Sequence, residues 1–209
     1  MTGGRVAIVD LGLGNLHSVA KAFERAGARP ELSADPSVLL AADRLVMPGQ
    51  GAFKECAQAL SGEVGDAVRE WISTGRPYLG ICLGMQALFE SSEEAPGHRG
   101  LGIFPGSVKR FRTDLVDSEG HPLKVPHIGW NQIESRHPVF EDGEWYYFVH
   151  SYYCLPEDED LVVATTEYGE PFCSAIARDN VLACQFHPEK SQHAGARVIG
   201  HFLGDISWS

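Results

Sequence analysis

The sharpest chemical signal in the sequence is a cysteine set between two glycines, Gly80-Ile81-Cys82-Leu83-Gly84. Tyr78 to Ile81 reads as a short buried strand and Leu83 to Glu90 as a helix, so Cys82 falls at a strand-to-helix turn. The same geometry built on serine is a nucleophile elbow, in which a strained turn lifts the reactive atom above a sheet. Small neighbours matter because side chains would crowd that turn. A helix N-terminus adds a positive dipole that favours thiolate. The alternative is a buried structural cysteine, since free cysteine is among the most buried residue types. Cys56, Cys154, Cys173 and Cys184 lack such a setting and read as core or surface thiols.

A thiolate nucleophile needs a base to handle protons and a third group to orient that base. His187 lies in Gln185-Phe186-His187-Pro188-Glu189, directly after an apolar run. Glu189 stands two residues on, with Pro188 stiffening the backbone between them, so a carboxylate could hold one imidazole nitrogen while the other faces a thiol. His150, after Tyr147-Phe148-Val149, is the second candidate base. Cys82 and His187 are far apart in the chain, so only the fold can join them. Pro48-Gly49-Gln50-Gly51 follows another strand end, where a glycine-flanked N–H could stabilise an oxyanion and contribute about 10²–10³ in rate. The same four residues also make an ordinary turn.

Other motifs are incomplete. Gly12-x-Gly14 lacks the third glycine of a dinucleotide fingerprint, because position 17 is His17. No phosphate-binding loop is present, and His and Cys lack metal-ligand spacing. Neither a cofactor nor a metal is expected.

The elements that must position these residues alternate in the first half. Arg5 to Val9 and Leu45 to Met47 read as buried strands. Leu16 to Phe23, with Gly27 as its stop, reads as a helix, as do Phe53 to Leu60 and Glu63 to Ser73. This alternation predicts an α/β fold with a mostly parallel central sheet flanked by helices. Between Val108 and Phe186 strand-like runs dominate, among them Trp145 to Val149, Leu161 to Thr166 and Val181 to Phe186, and predict an antiparallel addition. A last helix is expected over Ser191 to Leu203, and Glu157 to Asp160 reads as a solvated acidic loop. No linker cuts the chain, so residues 1–209 read as one domain.

Composition narrows the partners. The 209 residues are 44% hydrophobic and 22% charged, an ordinary globular balance, with a formal net charge of −11. Such a field repels phosphate backbones and anionic membranes. Nucleic acid and membrane partners are disfavoured. Five cysteines cannot all pair, and the apolar run Val6 to Val9 is too short for a signal-peptide core. Tyr78 to Phe89 falls short of the roughly 20 apolar residues of a membrane span. A soluble, cytoplasmic protein with reduced thiols is expected.

Taken together these residues resemble the class I glutamine amidotransferases, which carry a Cys-His-Glu triad. Gly80-Ile81-Cys82-Leu83-Gly84-Met85-Gln86 is similar to the family's nucleophile motif, and Phe186-His187-Pro188-Glu189 to its partner motif. Four further stretches resemble one branch, the glutaminase subunits of imidazole glycerol phosphate synthases. They are Val9-Asp10-Leu11-Gly12-Leu13-Gly14-Asn15-Leu16, Pro126-His127-Ile128-Gly129-Trp130-Asn131, Tyr147-Phe148-Val149-His150-Ser151-Tyr152 and His187-Pro188-Glu189-Lys190-Ser191. The sequence departs from the family at Gln50, where valine is common, and at Leu11, where an aromatic residue is common.

The resemblance implies a three-layer amidotransferase fold and a catalytic set of Cys82, His187 and Glu189. It implies oxyanion donors from Gly49, Gln50, Gly51 and Leu83, and glutamine binding by Gln86, Glu94, Tyr147, Ser151 and Tyr152. It also implies a heterodimer with a separate (β/α)₈ cyclase subunit that consumes the ammonia, with Asn15, Trp130 and Lys190 on the partner face. Helix surface, strand packing and a plain core aromatic are the alternative roles for these binding and interface residues. Two rival assignments stay open on sequence alone. One is another amidotransferase subunit, of the anthranilate or aminodeoxychorismate kind. The other is a non-enzymatic thiol protein that keeps the elbow.

Overall fold

The computed structural model describes residues 4–204. The first half alternates strand and helix: β1 (Arg5–Val9), α1 (Leu16–Arg25), β2 (Arg29–Ser33), α2 (Pro36–Ala41), β3 (Arg44–Gly49), α3 (Phe53–Ala59), α4 (Glu63–Ser73), β4 (Tyr78–Cys82) and α5 (Leu83–Gln86). Strands dominate the second half: β5 (Ser91–Ser92), β6 (Gly106–Arg110), β7 (His127–Gln132), β8 (Glu134–Ser135), β9 (Trp145–His150), β10 (Tyr152–Pro156), β11 (Val162–Glu167), β12 (Pro171–Arg178) and β13 (Val181–Cys184), followed by α6 (Gln192–Leu203).

One mixed sheet runs β2-β1-β3-β4-β13-β12-β10-β6-β5, with β11 and β8 attached beyond β12. The stretch from β2 to β13 is parallel, and β12, β10 and β6 pair antiparallel with their predecessors in that order. β7 and β9 form a separate antiparallel ribbon. The expected α/β sheet with an antiparallel addition is thus present, and its weave is specific. The late strand β13 slots between β4 and β12.

Strand periodicity divides the core into two layers. Val6 and Ile8 of β1 pack with Phe23, Val198 and Phe202, beneath α1 and α6. Ala7 and Val9 face the other way, onto Leu39, Phe53 and Trp71 of α2, α3 and α4. Burial on both faces explains why β1 and β4 read as unbroken apolar runs.

Three expectations need correction. The helix after Cys82 ends at Gln86 rather than Glu90. Instead of continuing it, the carbonyls of Ala87, Leu88 and Phe89 accept hydrogen bonds from Leu101, Ile103 and Gly102 of a returning loop. That loop approaches so closely that a Cβ on Gly100 would stand 2.2 Å from Phe89 O. Secondly, β13 ends at Cys184, and the chain then leaves the sheet so that His187 N–H bonds Tyr147 O of β9. Thirdly, no cysteine is a surface thiol: all five are buried and unpaired. Among the described residues, no helix is long and apolar enough to cross a membrane.

Candidate active site

Cys82 ends β4 and precedes α5 with φ +53° and ψ −106°, a conformation that side-chain-bearing residues rarely adopt. The flanking glycines make this turn possible. A Cβ on Gly84 would stand 1.8 Å from Met47 O, and one on Gly80 would stand 2.8 Å from Gly84 O. The helix start is thereby pressed onto β3 and the thiol is turned toward a cavity of about 350 Å³. The Cys82 residue is 6% exposed.

Parallel pairing of β13 with β4 sets Cys184 beside Ile81, so the chain leaving β13 carries His187 to the nucleophile's side of the sheet. His187 Nδ1 lies 2.8 Å from Glu189 Oε1, with both side chains 2% exposed. Pro188–Lys190 forms a single 3₁₀ turn that places the carboxylate two residues on beside its own imidazole. Ser191 Oγ donates to His187 O at 2.6 Å and accepts from Tyr147 N–H at 3.0 Å, tying this turn to β9. α6 clamps it from the other side, since a Cβ on Gly195 would stand 1.8 Å from Pro188 O.

The electrostatics distinguish the two candidate bases. Burial disfavours a charged His187, but negative charge on the Cys82 sulfur, and then the Glu189 carboxylate, outweigh it and raise the imidazole to about 9. His150 behaves in the opposite way, pushed down to about 3 by burial. Both its nitrogens are occupied. Nδ1–H donates to Tyr152 O at 2.8 Å, because a carbonyl only accepts, so Nε2 accepts from His127 Nδ1–H at 3.2 Å. His127, itself held near 4 by burial, accepts in turn from Asn131 Nδ2 at 3.4 Å. His150 is therefore a neutral link in a polar chain, whereas His187 has its Nδ1 on Glu189 and its buried Nε2 without a hydrogen-bond partner, available to the nucleophile's side of the site.

Gln50, Gly51, Leu83, Gln86, Glu94, Ser151, Tyr152 and Lys190 line the cavity with Cys82. Gly49 pairs with Cys82 in the β3–β4 register and lines an adjoining crevice with Asn15, His187 and Glu189. Glu94 has a structural duty as well, accepting from Phe53 N–H at 2.8 Å at the start of α3. Asn15 caps α1, its side chain accepting from Ser18 N–H at 3.2 Å.

Tyr147, expected at bound glutamine, stands beside the cavity rather than among its lining residues. Alternation along β9 buries Tyr146, Phe148 and His150 and leaves Tyr147 and Val149 half-buried on the other face. Its ring lies between Trp130, 6.0 Å away, and the Lys190 ammonium, 5.7 Å from the ring centre. Trp130 is 41% exposed on the β7–β9 ribbon, near exposed Ile128 and Trp145, so it is not a core aromatic. A larger hollow of about 690 Å³ beside β8 and β11 contains none of these side chains.

Sequence reasoning missed three contributors to the site, Gln185, Pro126 and Val149, the last of which also lines the cavity. Gln185 stands beside the thiol, and its signal was its place in the Gln-Phe-His-Pro-Glu run. Pro126, in the Pro-His-Ile-Gly-Trp-Asn run, lines the cavity. Among the described residues, no group of three or more His, Cys, Asp or Glu side chains is arranged to hold a metal.

Comparison with known proteins identifies the family of the chain. The family model "Glutamine amidotransferase class-I" matches residues 7–204. A protein of Syntrophotalea carbinolica named imidazole glycerol phosphate synthase subunit HisH is 49% identical, over 96% of this chain and 100% of its own. The protein of that name from Methylococcus capsulatus is 47% identical over 98% of both chains. Among solved structures, one described as a glutamine amidotransferase superposes with a TM-score of 0.73 at 20% identity, covering 95% of this chain and 96% of that one. PurLQS from Thermotoga maritima superposes at 0.70 and 18% identity, covering 95% and 96%. With its elbow, its His-Glu pair and this likeness along nearly the whole chain, the protein belongs to the class-I glutamine amidotransferase family and, within it, to the HisH subunits.

Proposed function

We propose that the protein hydrolyses L-glutamine to L-glutamate and ammonia and passes the ammonia to a (β/α)₈ cyclase subunit in histidine biosynthesis. The observation that carries this reading is the buried His187–Glu189 pair, 2.8 Å apart, brought by the β13–β4 pairing to the side of Cys82 at a strained turn opening on a cavity. Cys82 thiolate attacks the carboxamide carbon of glutamine. The oxyanion is held by the Leu83 N–H, free at the helix start, and by a peptide N–H of Gly49 to Gly51. His187, charged beside the thiolate, gives its proton to the departing nitrogen as the C–N bond breaks. The neutral imidazole then takes a proton from water, which attacks the thioester carbon and releases glutamate and the thiolate. Glu189 holds the Nδ1–H tautomer and stabilises the imidazolium.

Gln86, Glu94, Ser151 and Tyr152 face the space a glutamine would occupy, and Tyr147 contributes through Lys190 and Trp130 rather than by contact. Asn15, Trp130 and Lys190 serve the cyclase face, for which the exposed Trp130 and Ile128 offer apolar area. The 47–49% identity to proteins named as HisH subunits favours this partner over the other amidotransferase partnerships.

The test is co-purification with a cyclase subunit, followed by glutamine hydrolysis with and without the cyclase's ligand. Weak hydrolysis alone, strong hydrolysis in the liganded complex and none in Cys82→Ala are expected. High activity from the isolated subunit, or survival of activity in Cys82→Ala, contradicts the proposal.

A further inference from the structure

The nucleophile has a second neighbour. Gln185 Nε2 lies 3.4 Å from Cys82 Sγ, both residues buried, where β13 gives way to the His-Pro-Glu turn. A carboxamide can present either its donor or its acceptor to sulfur, and what surrounds Gln185 decides which. Tyr152 O can only accept, and Gln86 Nε2 lies 3.1 Å from it, so the NH₂ of Gln86 points that way. The same NH₂ reaches Gln185 Oε1 at 3.1 Å. Gln185 Oε1 is therefore turned to Gln86, and its N–H group must face the sulfur. Tyr152 O is held in place from its other side by His150 Nδ1–H, itself anchored through His127 and Asn131. Every group in this chain has one workable polarity, and the chain ends on the thiol.

We propose that Gln185 is a positioning residue for glutamine hydrolysis, its carboxamide N–H holding the Cys82 sulfur as thiolate and fixing the direction from which it attacks. A hydrogen bond to a charged acceptor is stronger than one to a neutral acceptor, so this donor favours thiolate over thiol. Unlike a second histidine, an amide does not surrender its proton at neutral pH, so it solvates the sulfur without quenching it. In the thioester the sulfur is a weaker acceptor, and the bond strengthens again as thiolate leaves. Gln86 acquires a second duty: besides facing the substrate space, it sets the polarity of Gln185.

This inference rests on Cys82 being the nucleophile, and the experiment separates the two. Iodoacetamide alkylation of Cys82 in the full chain, located by peptide mass, is followed from pH 5 to pH 10, with kcat and KM for glutamine. In Gln185→Leu, alkylation at neutral pH falls about tenfold, the low end for losing a hydrogen bond to a charged group. The alkylation profile moves to higher pH, and kcat falls in parallel with KM little changed. Gln185→Glu keeps the side chain's size and its bond from Gln86 but turns an acceptor on the sulfur, and falls further. An alkylation profile in Gln185→Leu that coincides with the parent's overturns the proposal, as does a loss confined to KM. Should Gln185→Leu fail to fold, Gln185→Glu decides by the same profile. Glutamine hydrolysis surviving in Cys82→Ala overturns the nucleophile assignment itself. Hydrolysis abolished there, with unmoved Gln185 profiles, overturns only the role of Gln185.

Discussion

Gly84→Ala tests whether close packing, rather than the identity of the triad alone, makes Cys82 reactive. A Cβ at this position would stand 1.8 Å from Met47 O and 2.8 Å from Met47 C, against ordinary contacts of 3.4 Å or more. The obstacle is backbone of β3, buried from Leu45 to Gly49 and paired on both sides, so it cannot swing aside as a flexible side chain would. The strain falls on α5, which must retreat by more than about 1 Å and carry Leu83 N–H and Cys82 with it. Misplacing a reacting group by about 1 Å costs on the order of 10²-fold in rate. Overpacking a buried site costs about 1–3 kcal/mol of stability, and for this size about 2–4 °C of Tm per kcal/mol. The assay is glutamine hydrolysis beside a thermal melt of the same preparation. Activity falling about a hundredfold, with a melting point lower by several degrees, is expected. A variant that melts with the parent and keeps activity within about threefold would show that β3 yields, and that this approach does not hold the nucleophile in place.

Glu189→Gln removes the carboxylate 2.8 Å from His187 Nδ1 and with it about 1.5–3 kcal/mol of imidazolium stabilisation, so kcat falls about 10- to 150-fold. Because His187 is raised to about 9 from an unfolded value near 6.5, the stability it contributes is complete below that lower value and is lost as pH rises through about 9. The melting-point gap between parent and Glu189→Gln therefore narrows over that window, and a gap that widens there contradicts the assigned sign. His127→Phe keeps the ring stacked on Tyr168 and Phe148 but leaves buried His150 Nε2 without its donor, costing about 1–3 kcal/mol in denaturant unfolding. An unchanged unfolding midpoint would refute that part of the polar chain. Trp130→Ala, at a half-exposed ring, leaves the melting point within about a degree while weakening retention of the cyclase in co-purification. Undiminished retention removes Trp130 from the partner face.

Much of the site was legible because its parts are local. The elbow announces itself through two glycines around a cysteine, and Pro188 fixes the offset from His187 to Glu189 within one turn. Buried strands such as β1 and β4 read cleanly as unbroken apolar runs. What escaped was settled by tertiary contact. β2, Arg29–Ser33, is an edge strand with mostly exposed side chains, so it carries no hydrophobic pattern. β12, Pro171–Arg178, is buried almost throughout, and its Pro, Ser and Ala residues give little β signal. The early end of α5 depends on a loop more than ten residues downstream that takes up the carbonyls of Ala87, Leu88 and Phe89 just beyond it. The half-burial of Tyr147 was set by the phase of β9, and the neutrality of His150 by its burial among other strands. Gln185 stood in the quoted motif, but its bond to Cys82 exists only once β13 lies beside β4.

The placement of β13 has a consequence for when this protein becomes an enzyme. Everything from β1 to β4, including Cys82 and its glycines, leaves the ribosome before the strands that build the other half of the sheet. β13 is the strand that joins β4 to β12. Until it pairs with β4, the nucleophile has neither the His187 imidazole nor the Gln185 carboxamide beside it. A nascent or truncated chain ending before Val181 therefore carries a thiol but no means of hydrolysing glutamine. β13 meets β12 across a two-residue hairpin, but its pairing with β4 joins residues about a hundred apart, a long-range contact of the kind that forms slowly. Activity arises with the closing of the sheet, and an unfinished molecule cannot release ammonia.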